Sequence, residues 1–247
     1  MRLKHAAALA TAVIIVIGFV MISPIFFYRQ NQADAKQKVM LCFSVMEPNG
    51  SAEWCRSLSL ILNKYDLAAT VFVAGKVAEQ YPQTVTCFNE KTDIGSQTFS
   101  GVNLTSILDY SLRLQEIQKG KSAVENAGHI CSKVFRAPYG DTDEDIYSLL
   151  YRSNITADFS YENQYNVYHI DKFIKIESQT YESTYYPPEF FNSLSEEAVP
   201  IIITFEETCS PSSIDYFLST LEKTKFDFVN ASELTGYELT IRQEQNV

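Results

Sequence analysis

The chain has little histidine, glycine, proline or positive charge. Three histidines serve 247 residues, and only His129 and His169 lie beyond the first five positions. Neither sits in an H-x-x-H or H-x-x-x-H pair, so no histidine-based metal motif is legible. Nine glycines and eight prolines exclude collagen-like and linker-rich designs. The five cysteines contain no C-x-x-C pair, which removes zinc ribbons and thioredoxin-type motifs. G-x-G-x-x-G and G-x-x-x-x-G-K-S/T are also missing, so neither dinucleotide nor P-loop binding is supported. Twenty Lys and Arg face thirty Asp and Glu, for a net charge of −10. Such a surface repels phosphate backbones and argues against a nucleic-acid partner. No second long apolar run follows the first, so the chain is not polytopic.

What is present is ordinary globular material: 46% hydrophobic, 20% charged and 13% aromatic residues, enough to build a core. Residues 6–28 carry no charge and follow Arg2, Lys4 and His5. As a helix this run would reach roughly 34 Å, enough to cross a bilayer. Residues 1–28 are therefore expected to be an N-terminal signal-anchor or transmembrane helix. Residues 29–38 read as a polar tether, and residues 39–247 as one domain displayed outside the cytoplasm. Ala33-Asp34-Ala35 leaves a cleaved signal as the alternative. Cys42, Cys55, Cys87, Cys131 and Cys209 all follow the anchor, where disulfides are permitted. Sequons at Asn49, Asn103, Asn154 and Asn230 merely permit glycosylation.

Short apolar runs alternate with helical patterns along the domain. Residues 38–43, 69–73, 93–97, 134–136, 155–159, 173–176, 200–205 and 226–229 read as strands. Helices are expected over 52–65, 76–81, 104–127, 142–151 and 212–223. This order implies an α/β domain with a parallel sheet. Without a nucleotide motif, a barrel of seven or eight strands is the better expectation than an open sheet.

One block and its neighbours then carry a resemblance. Phe135-Arg136-Ala137-Pro138-Tyr139-Gly140 is similar to the R-x-P-Y-G motif of the polysaccharide deacetylases, carbohydrate esterase family 4, which bear the NodB-homology domain. Residues 64–76 resemble the family's second strand and its entry, and residues 199–203 with 226–234 resemble its C-terminal strand–helix–strand ending. The resemblance covers residues 38–235 and implies a distorted (β/α) barrel of the NodB-homology type.

The catalytic positions diverge. Family members end the first strand in T-F-D-D-G, whose first Asp is a general base and whose second holds a divalent metal such as zinc. Here Ser44 and Val45 stand at those positions. The two metal histidines of H-S/T-x-x-H fall on Gln97 and Gly101, and the late L-x-H acid falls on Phe205. Asp158 is the nearest counterpart of the Asp/Trp motif. The resemblance thus implies a site whose catalytic positions (Ser44, Val45, Phe205) and metal positions (Val45, Gln97, Gly101) are degenerate. No cofactor is expected. A metal-bound water can be acidified from about 15.7 to about 7, and a base or an acid each contributes about 10²–10⁴-fold; these residues supply none of the three. Gln97, Arg136, Pro138, Tyr139, Gly140, Asp158 and Glu206 remain as candidate binding residues. Arg136 is expected to pair with a carboxylate other than the missing one, and Glu206-Glu207 to sit near the former catalytic face. The aromatics between Tyr161 and Tyr186 suit sugar rings as well as packing. Cys55 and Cys209, each after a strand end, are placed to pair across the mouth.

Three functions follow from this reading. The first is a pseudoenzyme binding an envelope glycan or a membrane or envelope protein. The second is a divergent deacetylase removing N- or O-acetyl groups with rebuilt residues such as Asp93, Asp158 or Glu206. The third is a structural subunit of a membrane or envelope complex with its groove closed.

Overall fold

The computed structural model describes residues 36–161, 164–169, 172–194 and 199–242, with side chains outside 161–177. The expected anchor, residues 1–28, and most of the tether lie outside the described residues. No described helix is long and apolar enough to cross a membrane. β1 begins at Gln37, so it takes in the last two residues of the expected tether, 29–38.

β1 (Gln37–Val45) is buried on both faces, as a near-continuous apolar run in a parallel sheet should be. Its alternation separates two cores. Val39, Leu41, Phe43 and Val45 pack in an outer core with α1 (Ser51–Tyr65) and α7 (Pro211–Thr220). Met40 and Cys42 pack in an inner core with residues of β2 (Ala69–Val73), β5 (Val134–Phe135), β6 (Ala157–Tyr161) and β10 (Ile201–Glu206). Side chains from strands far apart in the sheet meet there, so the sheet is curled.

β3 (Thr92–Ser96) lies between β2 and β5, and β9 (Gln179–Glu182) flanks β10. The order is β8-β7-β6-β5-β3-β2-β1-β10-β9, and the seven strands from β6 to β9 run parallel. β7 (Gln164–His169) and β8 (Lys172–Glu177) extend the β6 edge as antiparallel strands. β11 (Phe226–Phe228) pairs with the start of β1. The ring expected from the sequence is a half-barrel: among the described residues no ladder joins β9 to β6 or β8. A minor sheet pairs β4 (Ile130–Ser132) with β12 (Thr240–Arg242).

Between β2 and β3 lie two short helices, α2 (Gly75–Gln80) and α3 (Gln83–Thr86). The long helix α4 runs Tyr110–Gly128, not from residue 104 as expected. Two local caps compete with a continuous helix. Asn103 accepts the Thr105 N–H over a 3₁₀ turn, and Asp109 accepts the N–H groups of Ser111 and Leu112. α5 (Glu144–Arg152) is capped by Asp143, whose other oxygen takes the largely buried Arg113 at 2.8 Å. α6 (Pro188–Ser193) precedes β10. α8 (Ala231–Thr235) opens on a capping box between Asn230 and Glu233 and sits at the entry ends of β2 and β3, where Thr70 and Asp93 accept the N–H groups of Ala231 and Ser232. Two sequon asparagines, Asn103 and Asn230, thus act as caps.

Candidate ligand-binding cleft

The site grows from the exit ends of the strands, where parallel α/β sheets place ligands. Ser44 ends the inward face of β1, and the ladder sets it directly opposite Glu206 of β10. Strand period then decides what else faces inward. Ile202, Thr204 and Glu206 share one face of β10, while Ile201, Ile203 and Phe205 share the other.

Phe205 therefore does not occupy the site. It stacks on Phe43 at 4.9 Å and meets Phe217 edge-on at 5.3 Å, in the outer core. Val45 points into the same core. Both placements share one cause: odd and even residues of a strand lie on opposite faces, and Val45 and Phe205 fall on the outer one. Glu206, a candidate binding residue in the sequence, lies on the face that lines the cleft, and the alternation Thr204-Phe205-Glu206 is the local sign of it.

Gln97 follows β3 and is held by backbone. Gly120, in mid-helix, brings α4 against it so closely that a Cβ there would stand 2.3 Å from the Gln97 carbonyl oxygen and 2.8 Å from the Thr98 carbonyl carbon. Gln97 is 1% exposed, and its amide oxygen finds no hydrogen-bond partner among the described residues. Gly101 lies beside Met46 with φ +74, outside the cleft lining.

The Arg136–Gly140 turn is fastened to β6. Arg136 donates to the Phe159 carbonyl at 2.8 Å, and the Ala137 N–H donates to the Ser160 hydroxyl at 2.7 Å. That hydroxyl donates in turn to Asp158. Asp158 is thus a buried support behind Ser160, not part of the cleft wall. Gly140 has φ +73, and a Cβ on it would stand 2.6 Å from the Ser160 carbonyl oxygen, so the turn requires glycine there. Tyr139 takes φ +64 and is 72% exposed.

Together Ser44, Gln97, Arg136, Pro138, Tyr139, Gly140 and Glu206 line one cleft of about 650 Å³. Tyr185 and Tyr186, from the aromatic stretch the sequence singled out, also line it, and the structure adds Met46, Glu47, Ser160, Thr204, Thr180 and Glu182, which sequence reasoning left out of the site. Glu207 joins them and accepts the N–H groups of Met46 and Glu47 at 3.2 and 2.6 Å. Asp93 lies at the other end of β3 and takes no part.

The electrostatics are dominated by desolvated carboxyls. Burial raises the pKa of Glu206, which the Arg136 charge partly opposes. Burial pushes Glu207 up to about 7 against its two N–H donors. Burial also raises the Cys42 thiol to about 11 despite the nearby Arg136 charge, so it is no thiolate nucleophile. All five cysteines are free. The expected Cys55–Cys209 pairing is not formed, and the Cys209 carbonyl accepts a hydrogen bond from Trp54 Nε1 at 2.8 Å.

A divalent metal does not fit these residues. Val, Gln and Gly at 45, 97 and 101 offer one neutral amide between them, a poor transition-metal ligand. Among the described residues, no three of His, Cys, Asp or Glu converge on a possible ion position.

The family model for polysaccharide deacetylase matches residues 31–157, just over half of the chain. The chain belongs to this family. No curated protein matches it. Among solved structures, this deacetylase-family chain is similar to a CE4 family pseudoenzyme from Bacillus anthracis (TM-score 0.61, 16% identity), covering 81% of this chain and 66% of that one. A mutant of that pseudoenzyme, described as having restored enzymatic activity, aligns at TM-score 0.61 and 15% identity, over 81% and 68%. The peptidoglycan deacetylase PdaC from Bacillus subtilis aligns at TM-score 0.60 and 17% identity, over 82% of this chain and 92% of its own. The chain spans about two thirds of the pseudoenzyme's length. At such identities these likenesses establish the shared fold.

Proposed function

We propose that this deacetylase-family member is a non-catalytic glycan-binding protein of the cell envelope, tethered through residues 1–28. One observation carries the reading. The cleft stays open, with polar side chains set in a largely apolar lining and exposed Tyr139 and Tyr185 at its rim, while Ser44 replaces the family's base and the metal positions hold no ligand set. Aromatic faces at a cleft mouth suit sugar rings, whose C–H faces pack on them while hydroxyls reach polar groups below. Ser44, Ser160 and Thr204 supply such groups. A filled groove, as a purely structural subunit would have, is not supported by a cleft of about 650 Å³. The similarity to a CE4 family pseudoenzyme supports the same direction.

The test is glycan retention without turnover. The purified full chain is expected to bind chito-oligomers or peptidoglycan fragments by calorimetry and to release no acetate from acetylated forms. Acetate release above a buffer control, abolished in Glu206→Gln, would establish a rebuilt hydrolase instead. Absence of binding to every glycan tried would remove the reading.

A further inference from the structure

The charge of the cleft does not match a neutral ligand. Glu47, Glu182, Glu206 and Glu207 line it against one cation, Arg136. Glu206 and Glu207 are half-buried, and none of the four forms an ion pair with a described lysine or arginine. Arg136 itself donates to the Phe159 carbonyl. Several partly desolvated carboxyls sharing the field of one cation are costly in the empty protein and are relieved by a further bound positive charge. A second, independent observation points the same way. The Gln97 side chain is 1% exposed and lines the cleft, yet its amide oxygen lacks a donor among the described residues. A buried acceptor of this kind calls for an N–H or O–H from a ligand.

We infer that the cleft selects sugar units bearing a free amine over their N-acetylated counterparts, with Glu206 and Glu207 facing the ammonium group and the Gln97 amide oxygen accepting one of its protons. An ammonium offers three donors and one positive charge, which favours the ionised form of both carboxyls as it binds and leaves a proton for the amide oxygen. An acetamide offers one N–H, no charge, and a carbonyl oxygen that the carboxylates repel. Tyr139 and Tyr185 would hold the ring whichever group it carries, so the amine sets selectivity while the aromatic rim sets affinity. This inference rests on the glycan-binding reading, and the experiment separates the two.

The full chain is titrated at pH 6.5 and 0.1 M salt with a glucosamine pentamer, an N-acetylglucosamine pentamer and pentalysine. The glucosamine pentamer is expected to bind on the order of tenfold tighter than the acetylated one, the scale of one charge-assisted hydrogen bond. Glu206→Gln is expected to bring the two oligomers within about threefold of each other. Glu182→Gln, at the exposed rim and safe for folding, is expected to narrow the difference in the same direction. Equal or tighter binding of the acetylated pentamer overturns the amine selectivity and leaves glycan binding standing. Pentalysine binding as tightly as the glucosamine pentamer also overturns it, because bulk charge then suffices. Failure of both sugars to bind removes the glycan reading itself.

Discussion

At the scale of single residues, the cleft carries two local costs. Glu207 is one. Its carboxyl is raised from 4.5 to about 7 by burial, opposed by the N–H groups of Met46 and Glu47 and reinforced by the charges of Glu47 and Glu206. Between those two values the folded state holds more protons than the unfolded one. Stability therefore falls as pH rises from about 4.5 to about 7 and is flat above. The full shift would correspond to about 3 kcal/mol, but the group is partly solvated, so roughly 1 kcal/mol is expected. Glu207→Gln keeps an acceptor for both N–H groups and should flatten urea-unfolding stability across that window; an unchanged slope would show that the carboxyl titrates normally. Tyr139 is the other cost, a large non-glycine residue with φ +64. The left-handed region disfavours such a side chain by about 1–2 kcal/mol. Tyr139→Gly should leave stability unchanged or raise it slightly, while glycan affinity falls several-fold. Strain kept for an exposed ring at a cleft rim is strain at a functional position; unaltered affinity in the variant would make the tyrosine incidental.

At the scale of elements, the segment bearing Gln97 is positioned by a helix rather than by its own contacts. Gly120 is a poor helix residue by about 1 kcal/mol relative to alanine. Propensity alone therefore predicts that Gly120→Ala stabilises. The Cβ would stand 2.3 Å from the Gln97 carbonyl oxygen and 2.8 Å from the Thr98 carbonyl carbon, both backbone atoms that cannot swing aside. Overpacking of that kind costs about 1–3 kcal/mol, so the steric effect wins. The variant is expected to lose net stability in urea melts and to weaken ligand binding together, because α4 and the Gln97–Phe99 backbone must separate. A gain in stability with unchanged binding would contradict this packing. The Arg136–Gly140 turn follows the same logic. Its bonds to β6 and the glycine at φ +73 explain its persistence as a requirement of the turn, beside any contact with a ligand.

At the scale of the whole molecule, the family's metal and base residue types are expected to need more than four side-chain changes to converge. Val45 lies in the outer core and Gly101 adopts φ +74. Replacing Ser44→Asp, Val45→Asp, Gln97→His and Gly101→His together would restore the family's residue types without turning those positions toward one point. Such a variant is expected to hold no stoichiometric zinc after dialysis. It should also lose several kcal/mol of stability, because Asp at 45 would enter an apolar layer. Stoichiometric zinc with acetate release would show that the strand end rearranges to rebuild the site.

The composition and local patterns determined what depends on neighbouring residues alone. The α/β class follows from alternating apolar runs and helical periods, and the deacetylase family from the R-x-P-Y-G block and its flanking strands. The loss of metal chemistry at the family's positions also follows, because a side chain's donor atoms are a property of the residue itself. Tertiary structure decided which face each residue presents and which distant segments meet. Whether Phe205 or Glu206 enters the cleft depends on the β1–β10 register. Glu182, Tyr185 and Glu207 join Ser44 only because β9 and β10 follow β1 in space. The half-barrel rather than a closed ring likewise rests on pairings among strands remote in the chain, which local propensity does not encode.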